Sequence, residues 1–439
     1  MNDEKIFKIR KKLDLLLELD EQYMVVGSNK HKYLFNNKKT AEELKKFEVL
    51  HNIVLPEEYK VFLLQVGNGG AGPNYGLYSL EEGIQATHAD EMKTNNAPSN
   101  AFEKEFPLDN EVTEKFLDYA RSCLESEDGY QDEQIVHLKT SGPFHEAIFL
   151  SDEGSASILM FEGDQPLLPR PMPGVVSLSC DAVGHLNYVL VVKGEQAGKV
   201  WITGYALSPC IRNGHQVGFF DWYEDWLDQS LERAVARNLS KIDIIPDKII
   251  ETTDIKTLIL THFKMKKLPE GFEKFKKLES LAIDIDDLDL EDAIQKIKDM
   301  PNLKKLVIAN QLHYPESFRD LKNITKLSIT QNYSLWHQGH KVFPLPEEVT
   351  LIPNLEVLDL MNNNQALSLP KNIGNMSRLK ELKLFSTSIK NFPESLRRLS
   401  QLEKIQGHLE KKEGNISGIT PQEKEKVIGW FPKAEIRIY

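Results

Sequence analysis

Apolar residues recur along this chain in distinct patterns, and those patterns predict its elements. Ile6, Ile9, Leu13 and Leu16 fall at helical spacing with Lys and Arg between them. This predicts an amphipathic helix over residues 3–20, packed against the first domain in preference to the alternative of a membrane surface. Residues 23–35 read as a strand and turn. Over residues 55–66, Pro56 suits a first helical turn and Glu57 and Glu58 favour the positive end of the helix dipole. Tyr59, Phe62, Leu63 and Val66 then share one face. Gly67, Asn68, Gly69 and Gly70 are expected to stop this helix through left-handed backbone, with Tyr75, Leu77, Tyr78 and Leu80 as a short strand. A further helix is expected over 109–122, with Phe116, Leu117 and Ala120 inward. The alternating stretches of 134–161 read as a β-meander, and the four prolines of 165–174 as a loop. Over 219–231, Trp222 and Trp226 lie one turn apart beside Phe219 and Tyr223 and read as core. Asp221, Glu224, Asp225 and Asp228 then take a solvated face.

Beyond residue 240 one pattern repeats. L-x-x-L-x-L, with Ile allowed, begins at 255, 278, 303, 324, 355 and 379, with a weaker copy at 402, in steps of 23, 25, 21, 31, 24 and 23 residues. A proline followed three residues later by an apolar residue lies between strands: Pro269/Phe272, Pro346/Val349, Pro370/Ile373 and Pro393/Leu396. Asn332 and Asn363 fall at the asparagine position of the motif. The region resembles leucine-rich repeats. One strand and its return segment cannot bury their apolar side alone, so copies stack into a solenoid and the ends need caps. Residues 239–250 and 421–439 are the candidate caps. The 31-residue step holds an insert with Trp336, His337 and His340, a candidate contact loop. Leu258, Leu281, Leu306, Leu327, Leu358 and Leu382 are expected to form one buried column. Alternation along each strand points the next positions outward to the concave side. That gives Ile259, Ala282, Val307, Ser328, Asp359 and Lys383, and beside them Thr261, Asp284, Ala309, Thr330, Met361 and Phe385. Ile259, Val307, Met361 and Phe385 are expected to be exposed there.

In the first half, LPEEYKVFLLQVGNGGAGPNYGLYSLEE resembles the core of the SUKH superfamily, bacterial proteins related to a fungal regulator of cell-wall synthesis. Glu42, Glu43, Leu44, Phe47 and Glu48 resemble its leading helix. LNYVLVVKGEQAGKVW resembles its strand pair, and FFDWYEDWLDQSL its terminal helix. Together these cover about 190 residues in the family's order. The resemblance implies an immunity protein that binds and neutralises a toxin, often a nuclease or deaminase. It implies no catalytic residue. The appended repeats depart from the minimal family pattern and offer a second place for partner contact.

Charge is divided unevenly. Residues 1–240 hold 23 Lys and Arg against 38 Asp and Glu, and residues 241–439 hold 31 against 28. An acidic first half argues against nucleic acid and would draw a basic partner. Three cysteines cannot build a disulfide framework. Cys180 with His185, and Cys210 with His215, have metal-ligand chemistry but not the usual zinc spacing, so buried thiols are expected and no metal. Gly67, Gly69 and Gly72 spell G-x-G-x-x-G, yet a helix precedes them and Pro73 follows, which reverses the order a phosphate loop needs. The acidic run at 284–292 lacks the glycine and distal glutamate of a calcium loop. No protease, kinase or hydrolase signature is present. No apolar run is long enough to span a membrane, and the charged first residues point to the cytoplasm.

These readings predict an α+β, SUKH-like domain over 1–235, with helices against a mostly antiparallel sheet. An α/β leucine-rich-repeat solenoid follows over 236–439. The expected function is non-enzymatic protein binding without a cofactor. The expected partner is a toxin domain, with an intracellular scaffold and a metal-dependent hydrolase as the alternatives. The candidate contacts are Ile259, Val307, Asp359, Met361, Lys383, Phe385, Trp336, Asp221, Glu224 and Asp225.

Overall fold

The computed structural model describes residues 2–88, 102–125, 135–139, 144–150, 156–162, 165–166, 172, 174–180, 186–204, 207–212, 214–261, 265–285, 288–311, 314–330, 345–360, 368–385, 387, 389–409 and 419–438. Side chains of 119–125 and of the strands between 135 and 166 are outside that description. The chain divides into two compact units, Met1–Leu231 and Glu232–Tyr439.

The first unit is α+β. Helices α1 (Asn2–Leu19), α2 (Ser28–His31), α3 (Ala41–His51), α4 (Glu57–Gln65), α5 (Leu80–His88) and α6 (Asn110–Glu125) precede the sheet. The strands are β1 (Ile135–Lys139), β2 (Phe144–Leu150), β3 (Ala156–Glu162), β4 (Gln165–Pro166), β5 (Val175–Cys180), β6 (Asn187–Val191), β7 (Val200–Thr203) and β8 (Leu207–Pro209). They pair antiparallel in the order β1-β2-β3-β8-β7-β6-β5, with β4 on β3. A small ribbon, β9 (Ile211–Arg212) and β10 (His215–Gln216), leads into α7 (Phe219–Leu239). One core gathers Phe106, Leu108, Val112, Phe116 and Leu117 with Val175, Val189, Val191, Trp201 and Leu207. The other is aromatic and joins α4 to α7: Tyr59 and Phe62 lie 4.9 and 5.0 Å from Phe219, and Phe62 lies 5.1 Å from Tyr223. Trp226 is half-buried rather than buried, edge-on to His31.

Three local expectations fail for identifiable reasons. Residues 23–35 form turns and α2, not a strand. The buried Asp20 carboxylate accepts from the Met24 and Val25 amides at 2.8 and 3.1 Å, and from Ser28 Oγ and Tyr33 Oη at 3.0 and 2.6 Å. Four donors on one carboxylate curl this segment. The 75–80 strand is reduced to one bridge, Leu77 to Gly70, because Ser79 and Glu82 exchange capping bonds that start α5 at Leu80. Left-handed backbone lies at Gly69 and Gly70, while α4 ends on Val66 in right-handed geometry. The glycine turn is filled by its own chain. Gly70 exchanges both backbone bonds with Leu77, Ala71 N donates to Leu34 O, and a Cβ on Gly70 would lie 2.4 Å from Leu34 O.

The second unit is a leucine-rich-repeat solenoid. Strands β11 (Thr257–Thr261), β12 (Ser280–Asp284), β13 (Lys305–Ala309), β14 (Lys326–Thr330), β15 (Val357–Asp359), β16 (Glu381–Leu384), β17 (Lys404–Gly407) and β18 (Glu435–Ile438) form one parallel sheet in chain order. Leu258, Leu281, Leu306, Leu327, Leu358, Leu382, Ile405 and Ile436 pair in unbroken register. The six leucines are at most 1% exposed. The return segments carry Phe272, Phe318, Val349, Ile373 and Leu396, each fully buried. Pro315/Phe318 adds a further instance of the proline mark. Helix α8 (Asp247–Thr252) lies at one end, α9 (Leu290–Ile297) serves as one return segment, and α10 (Pro421–Trp430) precedes β18 at the other end. Asp289 caps α9 through the Asp292 amide, so this part of the acidic run is a helix start. Asn332, Asn363 and the insert with Trp336, His337 and His340 lie outside the described residues.

Candidate protein-binding surfaces

The outward row of the repeat sheet follows from its register. Ile259, Ala282, Val307, Ser328, Asp359, Lys383, Gln406 and Arg437 stand side by side, one per strand. Its first third is apolar and its last third is polar or cationic. Ile259 is 56% exposed. Val307 is half-buried between its neighbours, and Phe385 is half-buried with its ring 4.9 Å from His408, so neither stands fully exposed as the pattern predicts. Ala309, in the adjoining row, is buried. Asp359 receives Ser328 Oγ at 3.4 Å, and Lys383 lies 3.7 Å from Glu381. Lys404 and Gln406 are buried at the far end of the face. Burial, with the Arg437 charge beside it, pulls the Lys404 ammonium below the usual lysine range, and Glu435 opposes this. Met361 and Trp336 lie outside the described residues.

Two polar devices on this unit escaped the sequence reading. Asn302, Asn323 and Asn354 each donate Nδ2 to a carbonyl of the preceding repeat (Lys276, Met300 and Lys322) at 2.7, 3.1 and 2.7 Å. Their signal was an asparagine just before the first apolar residue of three repeats. Asn310 is buried with φ 58° and donates Nδ2 to Asp284 Oδ1 at 2.6 Å.

The acidic side of α7 in the first unit is different. Lys12, with its side chain 8% exposed, lies 2.6 Å from Glu224 and 2.5 Å from Asp228. Arg212 reaches Asp228 at 2.6 Å and Asp225 at 3.7 Å, and Lys5 reaches Asp221 at 3.0 Å and Glu58 at 3.2 Å. Burial works against the Arg212 and Lys5 charges. Asp228, Asp225 and Glu224 more than offset it for Arg212, and Asp221 and Glu58 do so for Lys5, so both stay above their usual ranges. Burial instead raises the Asp225 carboxyl, with Arg212 opposing. The expected solvated acidic face is therefore an ion-pair seam with helix α1 and ribbon β9. Sequence could not show this because Lys12 and Glu224 are 212 positions apart.

Cys210 is buried and its thiol is pushed up by burial, Cys180 is half-buried, and His215 is exposed. His185 lies outside the described residues. Among the described residues no group of three or more His, Cys, Asp or Glu is placed to hold a metal ion. No described helix is long and apolar enough to cross a membrane.

Residues 38–167 match the SMI1 / KNR4 family (SUKH-1). The strand pair and α7, which also resemble that family, lie beyond the matched residues. Residues 38–167 thus carry a SUKH-1 match and the parallel sheet beyond them forms leucine-rich repeats, two kinds of module that suggest protein–protein interaction. Among curated proteins it is 25% identical over 234 residues to volume-regulated anion channel subunit LRRC8B of Mus musculus, covering 44% of this chain and 27% of that protein. It is 26% identical over 219 residues to the same subunit of Homo sapiens, covering 41% of this chain and 26% of that protein. The chain thus spans about a quarter of the length of these relatives. Among solved structures, a leucine-rich-repeat protein of Leptospira interrogans is 25% identical over 44% of this chain and 51% of that one, with a TM-score of 0.29. The plant peptide hormone receptor RGFR1 in complex with RGF2 is 20% identical over 38% and 31%, with a TM-score of 0.23. The repeat architecture rests on the strand register, not on these likenesses.

Proposed function

We propose that this is a non-enzymatic immunity protein that binds and neutralises a toxin domain, acting in the cytoplasm, with the outward row of the repeat sheet as its contact surface. The observation that carries this reading is the apolar stretch of that row. Ile259 stands 56% exposed on a regular sheet whose own core is already complete behind it. Side chains of this kind, ordered in a row, are what an extended solenoid face offers a protein. The SUKH-1 match supports the immunity role, and the acidic first half of the chain favours a basic, nuclease-like toxin. Asp359 and Lys383 extend the contact along the row, Phe385 adds to it from the adjoining row, and Met361 and Trp336 are assigned to the contact by sequence position alone.

The test is co-production with a toxin encoded beside it, scored by survival of the cells and by capture of the toxin. The double change Ile259→Asp and Val307→Asp is expected to weaken capture at least tenfold, about 1.4 kcal/mol, and to abolish protection. Unchanged protection and capture by that pair would remove the outward row as the contact surface. Capture without a toxin-like neighbour would favour a scaffold.

A further inference from the structure

The apolar end of the outward row is not flat. In register, Ala282 stands between Ile259 on one side and Val307 on the other. Neighbouring strands lie about 4.8 Å apart, so two branched side chains wall a trough roughly one side chain wide, and Ala282 leaves its floor at Cβ level. Side chains two positions apart on a strand share a face, so Ser280 and Asp284 close the two ends of the trough at about 6.6 Å from Ala282.

Asp284 is half-buried, and its Oδ1 is held by Asn310 Nδ2 at 2.6 Å. Asn310 is itself buried and fixed in left-handed backbone, so the carboxylate is oriented by a rigid donor. Among the described residues no lysine or arginine forms an ion pair with Asp284. At the opposite end, level with Ser280 on the next strand, stands the exposed Lys305. The trough therefore has apolar walls, a fixed negative end and a positive end.

We propose that this trough is the subsite for one arginine or lysine side chain of a protein partner. The aliphatic stem lies over Ala282 between Ile259 and Val307, and the cationic head pairs with Asp284. A long cationic side chain covers apolar surface with its stem while its head seeks a carboxylate, and its reach matches the step from Ala282 to Asp284. Lys305 repels a head group placed the other way round. An acidic side chain would meet Asp284 at like charge, and a purely apolar one would leave the oriented carboxylate unanswered. The inference rests on the reading of the sheet face as the binding surface and names the chemistry that its apolar end selects.

The experiment uses the full chain with methyl-labelled Ile, Val and Ala and three acetylated, amidated nonapeptides of Gly and Ser. Their central residue is arginine, norleucine or glutamate. With the arginine peptide, titrated to roughly 20 mM, the Ile259, Ala282 and Val307 methyls are expected to shift saturably, and less at high salt. Asp284→Asn is expected to weaken binding about tenfold. Ala282→Leu, which fills the trough, is expected to abolish it. Equal or tighter binding of the norleucine or glutamate peptide would overturn the proposal. So would no methyl shift with the arginine peptide, or an Ala282→Leu chain that binds as before. If toxin capture is lost with Ile259→Asp and Val307→Asp but survives both Ala282→Leu and Asp284→Asn, the face still binds protein and only the cationic subsite is wrong.

Discussion

The first unit is held together by residues far apart in the chain that converge on a few polar points, the second by one local step repeated along a sheet. In the first, Lys12 of α1 sits between Glu224 and Asp228 of α7, and Asp20 gathers four donors. In the second, Leu258 meets Leu281, Leu281 meets Leu306, and the same pairing recurs to Ile436. Damage at a convergent point therefore removes several bonds that nothing else replaces. Damage to a repeated step has like neighbours on either side.

The sharpest way to break this contrast is Lys12→Ala. Among the described residues it leaves Arg212 alone to answer Glu224 and Asp228, and removing one partner of a buried pair costs about 3–5 kcal/mol. Urea unfolding followed by the ring signals of α4 and α7 is expected to show a loss near the lower bound. A change below about 1 kcal/mol, the range of exposed pairs, would mean the seam is ordinary surface.

Leu358→Ala tests the other side of the contrast. A fully buried leucine truncated in a packed core costs about 2–5 kcal/mol, and the surrounding repeats are expected to hold the strand in place. Hydrogen exchange should rise in β14, β15 and β16 and stay low in β11 and β12. Equal loss of protection across all eight strands would show that the repeats do not share the load locally.

The smallest expected effect is at acid pH. Burial would raise the Asp20 carboxyl, but bonds from Tyr33, Val25, Met24 and Ser28 more than offset it and hold it below the usual range. A depressed carboxylate stabilises the fold above its unfolded pKa, near 3.9, and that contribution disappears as pH falls through the lower folded value. Asp20→Asn should therefore be less stable than the parent at pH 7. The gap should narrow below about pH 4. A gap that stays constant from pH 7 to 3 would remove the ionised carboxylate from the explanation.

The same contrast explains what was legible in the sequence. The leucine column, the proline marks and the outward row could be read because each repeat states its physics within about 25 residues. Side-chain alternation named Ile259 and Val307 correctly as outward. It could not tell that Val307 is half-covered by its neighbours, or that Ala309 in the next row is buried. In the first unit the amphipathic faces of α1 and α4 were readable, whereas α2 was not, since its turn depends on a carboxylate eight residues upstream of Ser28. The four acidic residues of α7 were visible as charges, but their cations stand on α1 and β9. A count of carboxylates along a chain says nothing about which are already answered.

The unbroken register also makes the sheet a ruler. Ile259 and Arg437 occupy the same position on the first and last strands, so the path between them along the face is fixed at about 34 Å, in increments of about 4.8 Å per strand. Point substitutions can repaint any mark on that ruler but cannot move one mark relative to another. Only the gain or loss of a whole repeat changes the span, and it does so by one full increment.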